Sequence, residues 1–285
     1  MGMNSIAQFP QFTPLSLSHK TIVTETYNSL KIPTSHRLFS NLFITDTDNS
    51  THIARLNNNI IIDRGLYTNH EGVMICGENA TSETLETVLR NDVKFVELSS
   101  IKTFDSKVDL DNSDYIYSTG KVALLEGSTY SNIRRKIRLP REVCTVGVVE
   151  NDKVDEIWEM FEKWERENPL KKDILEREAL EKALQFIDHL EIEYVGVYNN
   201  NLLVGFAGVE VTNHQHLMIH FIKAQTEIVG LSEFLFWQLA IMYRDRTTTI
   251  NFEQDLGIVG LRQFKESLRP DIIQPVYTIA SAKIV

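Results

Sequence analysis

The chain has 285 residues and a formal net charge of −10, with 42% hydrophobic and 24% charged residues. The length suggests two domains with a core each, and the acidic balance excludes a surface coated for general DNA or other nucleic-acid binding, though not a local basic stripe. No apolar run approaches the roughly 20 residues that span a bilayer, and the opening MGMNSIAQFPQF lacks the charged and apolar regions of a signal peptide, so a soluble cytoplasmic protein without an integral membrane segment is expected.

In chain order, FTPLSLS reads as a first strand and the stretch to LFSNLFI as two short helices. HIARLN, IIIDRGLYT and GVMICGEN follow as strands, the first two joined by a turn at Asn57, Asn58 and Asn59. TSETLETVLRND is a helix with a Thr or Ser cap, and VKFVELSS returns to strand. DYIYST is a further strand, and GSTYSNIRRKIRLPRE a short basic helix ending at Pro140. Arg134, Arg135, Lys136, Arg138 and Arg141 form a strong positive cluster, which fits a solvated helix face as well as a phosphate-binding one.

CTVGVVEN is a strand, and VDEIWEMFEKWEREN an amphipathic helix with Val154, Ile157, Trp158, Phe161 and Trp164 on its core side. KDILEREALEKALQFIDHL is a second helix with Leu180, Ala183, Leu184, Ile187 and Leu190 inward. YVGVY, LLVGFAGVEV and HLMIHFIKA are successive strands, the first pair turned at Asn199, Asn200 and Asn201. LSEFLFWQLAIMY is a helix, TTTINF a strand, GLRQFKESL a helix and PVYTIASAKI a last strand. Cys76 and Cys144 have no CxxC or Cys/His spacing, which predicts small buried hydrophobes rather than a zinc site or a disulfide.

NFEQDLGIVGLRQFKESLRP, residues 251–270, is the densest functional candidate. It places Asn251, Glu253 and Asp255 where a strand ends and a helix begins, the crevice in which open α/β sheets bind ligands. Asp255 fits a helix cap equally well, with Gly257 and Gly260 relaxing the turn and Pro270 stopping the helix.

The order strand, two helices, three antiparallel strands, helix, strand, helix, strand resembles the GNAT acyltransferase fold, and the first half repeats most of it without a residue-level repeat. The expected architecture is therefore α/β (α+β), with two tandem GNAT-like lobes at 1–142 and 143–285. LFSNLFI, DYIYSTGKVALLEG with Tyr130 and Arg134, HFIKA, and above all Asn-x-Glu-x-Asp-x-Gly-x-x-Gly-Leu-Arg-x-x-Lys resemble the phosphatidylglycerol lysyltransferase C-terminal domain family.

That resemblance implies transfer of an aminoacyl group from aminoacyl-tRNA to an amine or hydroxyl on a small-molecule or lipid acceptor. Such chemistry needs a proton shuttle, oxyanion stabilisation and an acid for the donor ammonium. Glu253 and Asp255 can hold an ammonium, Lys223 and Arg262 can face an oxyanion or phosphate, and His220 fits a shuttle or a satisfied core histidine. Strand alternation puts His220 and Lys223 on opposite faces unless a bulge intervenes. Lys265 follows Arg262 by one turn, so both can contact phosphate or stand in solvent. Asn251 and Tyr130 join the substrate-binding candidates, and Arg134, Arg135, Lys136 and Arg138 the tRNA-binding ones.

Three features depart from the family: Tyr130–Arg135 is poorer in lysine and histidine, Ile222 stands where relatives often carry Glu, and Leu268 where they often carry Tyr. GNAT enzymes hold coenzyme A in a glycine-rich turn after the fourth strand. Here that turn, Gln225 to Gly230, has one glycine and the acid Glu227, so acetyl-CoA is disfavoured and no cofactor is expected. The alternative to a transferase is a non-catalytic ligand-binding or regulatory protein on the same fold.

Overall fold

The computed structural model describes residues 6–65, 72–77, 81–91, 93–98, 106–169 and 174–280. The expected strand ends at 66–68, 78–79, 99–100 and 281–284, and the expected helix ends at 92 and 172–173, lie outside those residues. The chain divides into two compact units, 1–113 with 274–285, and 114–273.

In the first unit, β1 (Thr13–Pro14), α1 (Lys20–Asn28) and α2 (Phe39–Thr45) precede the hairpin strands β2 (His52–Leu56) and β3 (Asn59–Asp63). Asn57, at φ 54°, makes the expected turn between them. β4 (Gly72–Cys76), α3 (Ser82–Leu89) and β5 (Phe95–Leu98) follow, and Thr81 caps α3 by accepting the Thr84 N–H at 3.2 Å. β1 to β4 pair antiparallel in sequence order, and β4 runs parallel to β5. α3 covers one sheet face, with Leu85 and Val88 packed on Ala54, Ile61, Ile75 and Val96.

Strand β6 (Lys107–Ser118) carries the chain into the second unit and begins well before the expected Asp114. Its early residues are polar, so periodicity gave no sign of them. α4 (Thr119–Leu124) was not legible either: six residues containing Gly120 are too short for a helical period, and Leu125 at φ 50° ends the helix. The basic stretch is two helices, α5 (Ser131–Lys136) and α6 (Arg138–Val143). Pro140 does not end a helix. It sits in the first turn of α6, where a missing N–H costs no intrahelical bond.

β7 (Thr145–Val148), α7 (Val154–Glu167), α8 (Ile174–Gln185), β8 (Glu193–Asn199), β9 (Leu202–Val211), β10 (His216–Ala224), α9 (Leu231–Tyr243), β11 (Thr249–Asn251) and α10 (Val259–Ser267) complete the second unit. β12 (Ile272–Ala280) returns to pair antiparallel with β5 in the first. The second unit's strands run in the order β6, β11, β10, β9, β8, β7, antiparallel except for the parallel β10 and β11.

The boundary expected at 142/143 is thereby corrected. α4, α5 and α6 pack their Val122, Ile133 and Ile137 into the same core as Leu235, Phe236 and Leu239 of α9, and so belong to the second unit. On α7, Ile157, Phe161 and Trp164 are buried as expected, whereas Trp158 is half-buried beneath the Arg177 guanidinium, 4.6 Å from its ring centroid.

Candidate functional site

The parallel pair β10 and β11 sets the site. Glu210 of β9 lies opposite Met218 of β10, which lies opposite Asn251 of β11, so the three side chains share one face. On the other face Leu217 and Ile219 enter the α9 core, as do Ile222 and Ala224 further on. That switch of parity comes from a β-bulge between Ile219 and Phe221, which leaves His220 as the extra residue and puts Lys223 on His220's face. The bulge that joint use of the two residues requires is present. It also turns Ile222 into the core, where a glutamate would be buried among apolar side chains.

His220 is buried between two acids, with Nδ1 2.9 Å from Glu253 Oε1 and Nε2 3.3 Å from Glu210 Oε2. Burial alone would lower its pKa, but the hydrogen bonds and charges of Glu210 and Glu253 push it up to about 9. At neutral pH it is an imidazolium that donates to both carboxylates and lacks the lone pair of a general base. Lys223 is turned aside too: its Nζ is 2.7 Å from Glu176 Oε1 and 4.4 Å from the Trp164 ring centroid.

Beyond β11 the chain makes a tight loop. Asn251 is fully buried, donating from Nδ2 to Asp114 Oδ2 at 2.8 Å and accepting the Glu253 N–H on Oδ1 at 2.8 Å. Glu253 stands at φ 52°, a left-handed conformation costly for a residue with a Cβ and often found at functional sites. Lys265 holds the loop there by donating to the carbonyls of Phe252 and Gln254, on either side of Glu253. Lys265 is buried, so it is neither a phosphate contact nor a solvent-exposed charge. Burial pulls its pKa down to about 8 against the opposing pull of Glu253, Asp114, Asp255 and Glu176.

Asp255 is not the helix cap. α10 begins at Val259 with Ile258 at its cap position, and Asp255 closes the preceding turn by accepting the Gly257 N–H at 2.8 Å. It also accepts from Tyr115 Oη at 2.5 Å and from Arg262 at 2.7 Å through Nε and 2.8 Å through Nη2. Burial opposes its ionisation, but Arg262, Tyr115 and Gly257 outweigh that and hold its pKa below the usual carboxylate range. With its side chain wholly buried and both oxygens engaged, Asp255 fixes Arg262.

The remaining candidates lie elsewhere. Tyr130 is buried in the α9 core, with Lys121 and Asp271 as its charged neighbours, and is not part of the Glu253 cluster. Arg134 donates to the carbonyls of Leu125 and Gly127, closing the end of α4. Lys136 pairs with Glu233 at 2.6 Å, Arg138 with Glu142 at 3.6 Å, and Arg141 lies 4.9 Å from the Trp237 ring centroid. Arg135 and Arg138 are exposed.

Sequence reasoning missed Glu210, Asp114, Tyr115 and Glu176. Glu210 carried a signal: it is a lone acid in an otherwise apolar strand, a pattern that demands a buried partner. Among the described residues, Glu210, Glu253, Glu176, Asp114 and Asp255 face His220, Lys223, Arg262 and Lys265, five acids against four cations. Among the described residues no cluster of three or more His, Cys, Asp or Glu is arranged to hold a metal, and no helix is long and apolar enough to cross a membrane.

The family profile "phosphatidylglycerol lysyltransferase, C-terminal" matches residues 74–280, which include every residue of this cluster. The chain belongs to that family. Among solved structures, a conserved protein of unknown function from Bacteroides thetaiotaomicron VPI-5482 is similar at a TM-score of 0.80 and 22% identity, over 94% of this chain and 98% of that one. L-PGS from Bacillus licheniformis is similar at a TM-score of 0.61 and 12% identity, over 97% and 94% of the two chains. FemX is similar at a TM-score of 0.58 and 10% identity, over 95% and 97%. At these identities the likeness shows the fold: α/β, with tandem GNAT-like units. No curated protein matches the sequence.

Proposed function

We propose that this member of the family moves an aminoacyl group from aminoacyl-tRNA to an amine or hydroxyl acceptor, in the crevice beside the carboxyl ends of β10 and β11. The observation that carries the reading is Glu253: a carboxylate held in a left-handed conformation by Asn251 and Lys265, partly exposed, in a cluster with excess negative charge. An acidic, partly desolvated crevice favours an ammonium-bearing ligand.

In this scheme Glu253 and Glu210 receive the donor's ammonium, and Arg262, oriented by Asp255, faces the charge that develops on the ester oxygen. The acceptor's lone pair attacks the ester carbonyl and the bond to the ribose oxygen breaks. The acceptor's proton passes through Glu253 to that ribose oxygen. His220 serves as the fixed cation between the carboxylates of Glu210 and Glu253. Phosphate contact falls to the exposed Arg135 and Arg138, since Arg134 and Lys136 are committed within the fold.

Coenzyme A remains disfavoured. Gly230, at φ 86°, lies so close to α5 that a Cβ there would come within 2.1 Å of the Lys136 carbonyl oxygen. An acid, Glu233, occupies the first turn of α9 behind it. The protein's own backbone thus crowds the helix end at which a pyrophosphate would need to sit.

The test is single-turnover incubation with mixed charged tRNAs and amine or hydroxyl acceptors, following loss of the aminoacyl ester and gain of labelled product. Transfer by the wild type, abolished in Glu253→Gln at unchanged circular dichroism, is the expected result. Transfer that persists in Glu253→Gln contradicts the assigned role. One observation favours a second reading, a non-catalytic ammonium-binding protein: both ring nitrogens of His220 are engaged by carboxylates, Nδ1 by Glu253 at 2.9 Å and Nε2 by Glu210 at 3.3 Å. That reading predicts a thermal shift with free amino acids or polyamines, dependent on Glu253, with no consumption of any charged tRNA.

A further inference from the structure

The buried face of α7 runs through Ile157, Met160, Phe161 and Trp164, and the next place on that stripe is held by an acid, Glu165. A carboxylate in a core position needs partners for both of its oxygens. Oε2 has one, since Arg177 of α8 reaches it through Nη1 and also donates from Nη2 to Glu162 Oε1 at 2.8 Å. Oε1 has none among the described residues, although the side chain is only 6% exposed. Glu165 also stands in the last turn of α7, where the helix dipole adds to the negative charge and a cation is favoured.

Glu165 lines a cavity of about 520 Å³ together with Glu162, Arg166, Pro169 and Arg177. That volume lies within the range of small-molecule sites, roughly 300–1,000 Å³. The lining selects the occupant. Arg177 is committed to the two glutamates and stacked over Trp158. What is left is one carboxylate oxygen without a hydrogen bond and one exposed guanidinium, that of Arg166, without an ion pair among the described residues. A ligand that satisfies both brings one cation and one anion. A phosphate or nucleotide would meet two glutamates there, and a polyamine two arginines.

From the orphaned carboxylate oxygen, the unpaired guanidinium and the cavity they share, we infer that residues of α7 and α8 form a second ligand site, which binds a zwitterionic α-amino acid. Its ammonium donates to Glu165 Oε1 and its carboxylate accepts from Arg166. None of the five lining residues belongs to the Glu253 cluster, and the site does not depend on the proposed transfer reaction.

Isothermal titration of the full chain with free L-amino acids, ranked first by thermal shift, tests it. At least one should bind the wild type at millimolar concentration or below. Its amide, which lacks the carboxylate, and its N-acetyl form, which lacks the ammonium, should both bind more weakly. Glu165→Gln should weaken binding on the order of tenfold, and Arg166→Ala, at the surface, by about threefold, each at unchanged circular dichroism. If Glu165→Gln does not fold, Arg166→Ala and the two analogues still decide. Glu253→Gln should leave the binding intact, which separates this site from the crevice. A wild type that binds no amino acid overturns the inference. So does binding that Glu165→Gln and Arg166→Ala leave unchanged, or that Glu253→Gln alone abolishes, and so does an amide that binds as tightly as the acid, which would mark a cation site only.

Discussion

The two units build the same parallel strand pair and fill it differently. In the first, Met74 of β4 lies opposite Glu97 of β5; in the second, Met218 of β10 lies opposite Asn251 of β11. Glu97 is closed in by His36 and by Arg37, whose guanidinium is wholly buried and also donates to Thr34 Oγ1 at 2.6 Å, the Ile75 carbonyl at 3.3 Å and the Glu97 carbonyl at 3.2 Å. Burial opposes the Glu97 charge, but His36, Arg37 and Arg64 bring its pKa down to about 2. Cys76 beside this cluster is a buried thiol pushed up to about 12, mainly by burial. In the second unit the corresponding position is a neutral Asn251, and the acids are displaced one loop further, to Glu253 and Asp255. One crevice is thus satisfied from within by a guanidinium, and the other keeps a carboxylate excess beside solvent.

The largest expected effect sharpens that contrast. Arg37→Ala leaves Glu97 buried without its guanidinium and should cost roughly 3–5 kcal/mol, read as a lower urea midpoint. Asp255→Ala comes next. It strands the Tyr115 hydroxyl and the Gly257 N–H and frees Arg262, and should cost roughly 2–3 kcal/mol on the same scale, so lost activity in that variant would not by itself mark a catalytic group. Lys265→Met removes the donor to two carbonyls and should cost about 1–2 kcal/mol, with weaker transfer because Glu253 is no longer held.

A pH series gives a smaller effect of definite sign. His220 has a folded pKa of about 9 against an ordinary 6.5, so its stabilisation is complete below pH 6.5 and is lost as pH rises through about 9. Lys265 works the opposite way, with a folded pKa of about 8 against 10.5, so stability gained from its deprotonation appears only above about pH 8. Between pH 6.5 and 8 the His220 contribution should dominate, and the melting temperature of the wild type should fall while that of His220→Gln stays flatter. A wild-type profile as flat as the variant's would contradict the assigned imidazolium.

Much of the fold was legible because it rests on local patterns. The Asn-rich turns, the amphipathic α7 and the Thr81 cap each follow from a few neighbouring residues. What was not legible came from long-range partners. Asp255 reads as a helix cap by position, and only Tyr115 and Arg262 show that it pins the loop. His220 reads as a shuttle or a satisfied core histidine until Glu210, ten residues away on a neighbouring strand, shows what engages its second nitrogen. Lys265 shares a helical turn with Arg262, yet its ammonium turns inward to the carbonyls of Phe252 and Gln254. The basic helix was assigned to the wrong unit because charge patterning reveals exposure, not the α9 core beneath it.

The contrast between the crevices is tested most directly by measuring aminoacyl transfer and thermal stability together for Glu97→Gln and Glu253→Gln. The account predicts that Glu97→Gln lowers the melting temperature but keeps transfer per folded molecule, and that Glu253→Gln loses transfer with a smaller change in stability. Transfer lost in a well-folded Glu97→Gln, or retained in Glu253→Gln, would contradict it.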